Sequence, residues 1–196
     1  MDIARQARIS VIMIILLTLL VGVAYPLFLT GIAQLAFPGQ ANGSLVYDQR
    51  GKVVGSSLIG QSFTDPRYFH PRPSAAGPNG YDATASGGSN LGPTNSVLIN
   101  LVGERAAKYR QDNGLGPDVA VPVDAVTTSA SGLDPQISLA NALLQAPRVA
   151  KARNLPEDQV KALVMQHLQG RAIAILGDPG VNVLELNLAL DSTRAP

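Results

Sequence analysis

The run from Ile9 to Leu29 holds no charged residue, and after Arg8 the next charge is Asp48. About 20 apolar residues carry an α-helix across the hydrocarbon core of a bilayer. In lipid every backbone N–H and C=O must be bonded within the segment, which makes helix the form open to it. A cleaved signal peptide has a shorter apolar core, roughly 7–15 residues, followed by a small-x-small site. This run continues through Tyr25, Pro26 and Leu27 without such a site, which marks it as a retained anchor. Arg5 and Arg8 precede it, and no Lys or Arg follows until Arg50. Basic residues stay on the cytoplasmic side. Residues 1–8 are therefore expected in the cytoplasm, 9–35 as a transmembrane helix with its extension, and 36–196 as one periplasmic domain.

The anchor has one face suited to a neighbour. Thr18, Gly22 and Pro26 follow one another at helical spacing. Small residues let a second helix approach closely, and a Thr hydroxyl can bond across the interface. Pro26 removes one backbone hydrogen bond and predicts a kink there.

Beyond the anchor the basic and acidic residues balance, and the whole chain carries +1. That excludes the basic footprint of a nucleic-acid binder and a polybasic lipid-binding patch. The chain has no cysteine, which excludes thiol and disulfide chemistry.

Short β-branched runs at 44–47 and 53–59 flank Asp48-Gln49-Arg50-Gly51 and predict a hairpin. From Gln61 to Thr94 periodicity disappears. A structureless loop beyond about 12–15 residues is uncommon in a compact domain unless it has a function or is disordered. Its front half carries Phe63, Tyr68 and Phe69, which need a surface to pack on; Tyr68 and Phe69 are taken as partner-binding residues. A helix is expected from Thr94 or Asn95 to about Arg110, with a Glu104–Lys108 pair on its outer side. Val119–Val126 reads as a short strand broken by Pro122. Ser138 caps a helix that Pro147 should kink or restart, with Asn141, Gln145 and Arg148 on its polar face. Pro156, Glu157 and Asp158 open another helix. In Val181–Leu190 the alternating Leu184, Leu186, Leu188 and Leu190 predict a strand with one buried face. The soluble part is α+β, following a single N-terminal transmembrane helix.

No motif assembles a catalytic site. Gly87-Gly88-Ser89-Asn90-Leu91-Gly92 lacks the Lys-Ser/Thr that a phosphate loop needs. His70 and His167 have no carboxylates at metal-ligand spacing. Arg148, Lys151 and Arg153 sit near a helix C-terminus, where the helix dipole favours cations.

Several stretches carry a family resemblance: YPL at Tyr25, FPGQANGSL from Phe37, VGSSLIGQSFTDPRYFHPRPSA from Val54, SGGSNLGPTN from Ser86, PVDAVTTSASGLDPQIS from Pro122, QAPRVAKAR from Gln145 and VNVLELNLALD from Val181. Over nearly its whole length the chain resembles the C subunit of the Kdp high-affinity potassium-transporting P-type ATPase. The resemblance implies a single-pass protein of the bacterial inner membrane. The partners it implies are a potassium-channel-like A subunit, an ATP-hydrolysing P-type B subunit and a small single-helix F subunit. It also implies a non-catalytic role in assembly, and a catalytic-chaperone action that raises the B subunit's affinity for ATP. Through the resemblance alone, Gln145 is linked to ATP. The charge rule places Gln145 outside, whereas ATP is cytoplasmic. The alternative class is a membrane-anchored periplasmic hydrolase or binding module, and a hydrolase of that kind would stay active as an isolated ectodomain.

Overall fold

The computed structural model describes residues 2–193 apart from 172 and 174. The chain forms two units, Met1–Leu45 and Val46–Pro196. In the first, α1 (Ile3–Leu19), a π turn (Leu20–Ala24) and α2 (Tyr25–Ala36) run on as one helix. Ile3–Ala36 is long and apolar enough to cross a membrane, and among the described residues none of this helix is buried. Helix begins six residues earlier than the apolar run, so Arg5 and Arg8 lie on its first turns. Beside Pro26, where a kink is expected, the helix holds a π turn, and Pro26 enters the first turn of α2. There its missing N–H meets a register that has already widened. Phe37 ends α2, and a single further turn, α3 (Pro38–Ala41), follows.

The second unit opens with β1 (Leu45–Tyr47) paired to β2 (Val53–Ser56), the expected hairpin with its second strand three residues shorter. No helix or strand occurs from there to α4 (Ser96–Asn113). Asn95 caps α4 by accepting from the Val97 N–H at 2.8 Å, and Gly114, at φ +64°, closes it. Lys108 pairs with Asp112 one turn ahead, correcting the expected partner Glu104. A 3₁₀ turn at Val123–Ala125 stands where a strand was expected. Pro122 cannot donate to a ladder, and Asp124 is turned inward to bond Ser138.

Then come β3 (Gln136–Ile137), α5 (Leu139–Arg153), α6 (Glu157–Gln166), β4 (Leu168–Gln169), β5 (Gly180–Asn182) and α7 (Val183–Ser192). β5 is the middle strand of an antiparallel sheet, with Ile137 and Leu168 both opposite Val181. Ser138 caps α5 as expected, accepting from the Asn141 N–H at 3.1 Å. α5 runs unbroken through Pro147, whose ring faces outward while Ala146, Val149 and Ala150 hold both flanking turns in the core. The core joins Phe69, Ile137, Val160, Val164, Val181, Leu186 and Leu190 to this face of α5.

The strand expected over 181–190 is a correction. Only Val181 and Asn182 of it are strand, and the rest is α7. Val183, Leu186, Asn187 and Leu190 are buried at helical spacing, and Asn182 caps the helix by accepting from the Glu185 N–H at 3.1 Å. An Asn followed three residues later by Glu is a helix-start signal that outweighs the leucine alternation.

Candidate functional site

The long segment after β2 is fixed by side-chain amides. The Phe69 N–H donates to Asn187 Oδ1 at 2.8 Å, and Asn187 Nδ2 donates back to the Phe69 carbonyl at 3.0 Å. One residue on, the His70 N–H donates to Gln145 Oε1 at 2.7 Å, and Gln145 Nε2 returns to the His70 carbonyl at 3.0 Å. In an extended chain successive residues turn their N–H and C=O to opposite sides. Phe69 therefore faces α7 and His70 faces α5, and one carboxamide on each helix stands in for a neighbouring strand. Burying that backbone unpaired would cost about 1–3 kcal/mol per group, which is why polar residues occupy these helix faces.

Two arginines of α5 extend the clasp. Arg148 donates through Nη1 to the Pro66 carbonyl at 2.6 Å and the Tyr68 carbonyl at 3.0 Å. Its Nε reaches Asn113 Oδ1 of α4 at 2.9 Å, and Nη2 reaches Gln145 Oε1 at 2.8 Å. Arg153 donates to the Arg67 carbonyl at 2.6 Å, pairs with Asp191 of α7 at 2.8 Å, and stacks over the Tyr68 ring at 4.7 Å. These cations hold the loop, in addition to the expected placement of Lys151 and Arg153 in the last turn of α5. A guanidinium suits this task because it offers several donors in a fixed plane.

A polar chain continues inward from the clasp. Gln145 Nε2 also donates to Asn141 Oδ1 at 2.8 Å, which accepts the Tyr109 hydroxyl at 2.9 Å. Asn141 Nδ2 donates to Asp124 Oδ2 at 2.9 Å, and Ser138 Oγ donates to the other Asp124 oxygen at 2.8 Å. Burial pushes the Tyr109 phenol's pKa up. His70 Nε2 lies 3.1 Å from the Asp65 carbonyl and 3.5 Å from Arg148 Nη1. Burial first, and the Arg148 charge second, hold the His70 pKa below its ordinary value. The neutral ring then donates through Nε2 to Asp65.

The sequence candidates fall into place as follows. Phe69 is fully buried in the core, which corrects its assignment to a partner surface. Tyr68 packs against Phe63, with ring centroids 5.7 Å apart, and its hydroxyl donates to Asp191 at 3.1 Å. The loop aromatics thus find their surface within the domain. Gln145 is 1% exposed, and its amide makes four hydrogen bonds inside the protein. A carboxamide has two donors and two acceptor lone pairs, so all are in use and a nucleotide could reach it only by breaking the clasp. Thr18, Gly22 and Pro26 lie on the exposed anchor helix. His167 ends α6 with Nδ1 2.9 Å from the Leu163 carbonyl. The Gly-rich stretch at 87–92 is loop, anchored by the Gly87 N–H to the Ser131 carbonyl at 2.9 Å.

Sequence reasoning missed Asn187 and Asp124, and placed Asn141 on a polar helix face without a partner. A polar residue at helical spacing within an apolar stripe, as Asn187 stands between Val183 and Leu190, was the available signal. A cleft of about 340 Å³ beside the clasp is lined by Thr64, His70, Arg105 and Lys108 among others. Among the described residues no three His, Cys, Asp or Glu gather as metal ligands.

Fold and site together define a protein with one N-terminal helix long and apolar enough to cross a membrane, and an α+β domain whose buried carboxamides and two arginines hold one long loop. The model of the family described as KdpC, the K⁺-transporting ATPase c chain, matches residues 7–192. A potassium-transporting ATPase KdpC subunit from Mycobacterium bovis is 55% identical over 187 residues, covering 95% of this chain and 98% of that one. The subunit of the same name from Caulobacter vibrioides is 59% identical, over 92% and 90% of the two chains. That from Bradyrhizobium diazoefficiens is 52% identical, over 97% and 98%. The chain belongs to the KdpC family.

Proposed function

We propose that this chain is the accessory subunit of an ATP-driven, high-affinity potassium uptake complex in a bacterial inner membrane. It does not hydrolyse ATP; that chemistry belongs to another chain. The family match across residues 7–192 is the observation that carries the reading. The partners are a potassium-channel-like A subunit, a P-type ATPase B subunit and a small F subunit. Arg5 and Arg8, ahead of the apolar run, support an N-terminus in the cytoplasm and residues 36–196 in the periplasm. The chain stabilises the assembly, and Thr18, Gly22 and Pro26 meet a neighbouring helix. Tyr68, partly exposed at the rim of α5 and α7, remains open to a partner, whereas Phe69 does not.

The chaperone action on ATP affinity runs through the ATP-hydrolysing subunit. Gln145 supports that route because its amide is already committed to His70, Asn141 and Arg148. Purification through a tag on this chain should bring down a potassium-stimulated ATPase. Protease added to spheroplasts should remove the C-terminal domain. Recovery of the chain without ATPase activity would overturn the accessory role, and protection of the domain would overturn the orientation.

A further inference from the structure

The π turn leaves the anchor short of hydrogen-bond donors near the middle of its apolar run. The Tyr25 N–H reaches back five residues to the Leu20 carbonyl, and α2 then resumes the four-residue register. A return from five to four leaves one carbonyl without an N–H. The next residue, Pro26, has no N–H to give. Counting from Leu20 forward, two of the three carbonyls of Val21, Gly22 and Val23 have no backbone donor. Thr30 Oγ1 donates to the Pro26 carbonyl at 2.8 Å, one turn further on, and leaves them untouched. Val21 and Val23 are about half exposed, and Gly22 between them has no side chain to cover the backbone. A Cβ there would meet only Thr18 Cγ2, at 3.8 Å.

Hydrocarbon offers no donor, and a backbone carbonyl left unbonded in it is strongly disfavoured. We propose that the open carbonyls at Val21–Val23 receive a hydroxyl or amide donor from a transmembrane helix of a partner subunit, seated against Gly22. This rests on the accessory-subunit reading and adds the chemistry of the contact. Close approach over Gly22, where an added Cβ would meet only Thr18, brings the partner's side chain within hydrogen-bond reach of the open carbonyls.

The test uses the full-length chain with and without the other subunits. A ¹³C=¹⁸O label is placed in turn on the Val21, Gly22 and Val23 carbonyls, and the isolated amide I band is read by infrared spectroscopy. In the chain alone, in micelles, two of the three bands should sit at the high frequency of an unbonded carbonyl. In the assembled complex at least one should fall to the bonded range. Alongside, Gly22→Leu should reduce complex yield about tenfold at equal membrane levels, the loss expected for one interhelical contact of this kind. Leu17→Phe, on exposed helix outside the widened turn and about 140° round from Gly22, should assemble like the parent. A loss with Gly22→Leu but no band shift overturns the donor and leaves a partner helix packed at Gly22. Bands already low in the chain alone, or falling when the chain self-associates at high concentration, also overturn the proposal. Failure of the parent chain to bring down an ATPase defeats the accessory reading itself.

Discussion

Gln145 and His70, 75 residues apart in sequence, exchange two hydrogen bonds as paired strands do, with a side-chain amide in place of one backbone. Gln145→Ala should therefore act on folding. It leaves the His70 N–H and carbonyl buried without partners and takes an acceptor from Arg148, a loss of about 2–4 kcal/mol. Urea unfolding of the chain in detergent, with and without ATP, checks this. A parent-like midpoint combined with weaker ATP binding by the complex would return Gln145 to a nucleotide role.

Phe69→Ala should destabilise the domain by about 3–5 kcal/mol, the range for emptying a buried aromatic site. Tyr68→Phe removes only the hydroxyl bond to Asp191 and should fall within about 1 kcal/mol of the parent. Equal melting of the two variants would mean that Phe69 is not a core residue.

Stability should fall as pH drops below 6.5, the ordinary His value. In the fold, burial and Arg148 oppose the charged ring, so the unfolded chain binds the proton more readily. Across the window between the depressed pKa and 6.5 the unfolded state holds more protons, and stability rises with pH. Lys108 adds to the opposition, while Asp112 and the Asp65 carbonyl favour the proton. Asp65 itself titrates elsewhere. Arg67 lowers it to about 2, so its contribution is lost only in stronger acid. Unfolding midpoints measured at about pH 7 and about pH 5.5 should converge in His70→Asn. An unchanged slope in that variant would assign the pH dependence to another group.

Gly132→Ala should weaken the packing of the loop's far half. Gly132 has φ +69°, and an added Cβ would lie 2.6 Å from the Gly87 carbonyl oxygen and 2.8 Å from the Ala76 nitrogen. Left-handed strain alone costs about 1–3 kcal/mol, and backbone atoms cannot rotate away from the clash. Proteolysis within 76–88, compared between variant and parent, reads the effect; equal rates would show that the backbone yields there.

The sequence marked the starts of α4 and α5: Asn95 and Ser138 are caps, and both sit at observed helix ends. The length of the unstructured segment was equally visible, because nothing between Gln61 and Thr94 repeats. What holds that segment was not. Pattern reading sends polar residues outward, and so placed Asn141, Gln145 and Arg148 on a solvent face. Their burial depends on backbone arriving from residues 66–70, a long-range requirement with no local trace. α7 failed for a related reason: Asn187 broke the helical apolar stripe to the eye, because its partner, Phe69, lies 118 residues away.

Asn187 on α7 also sets an order of events. The Phe69 backbone cannot be satisfied until the last helix of the chain is available, since both of its bonds go there. Arg153 and Tyr68 wait on Asp191 of the same helix. Closing contacts across so much chain is slow compared with forming α5 and α6 locally. The loop precedes α7 by about a hundred residues in the chain, so during synthesis it stays open until α7 has been made. A chain stopped before residue 183 would keep its anchor and its local helices, yet present residues 61–94 unfolded to whatever proteases share its compartment.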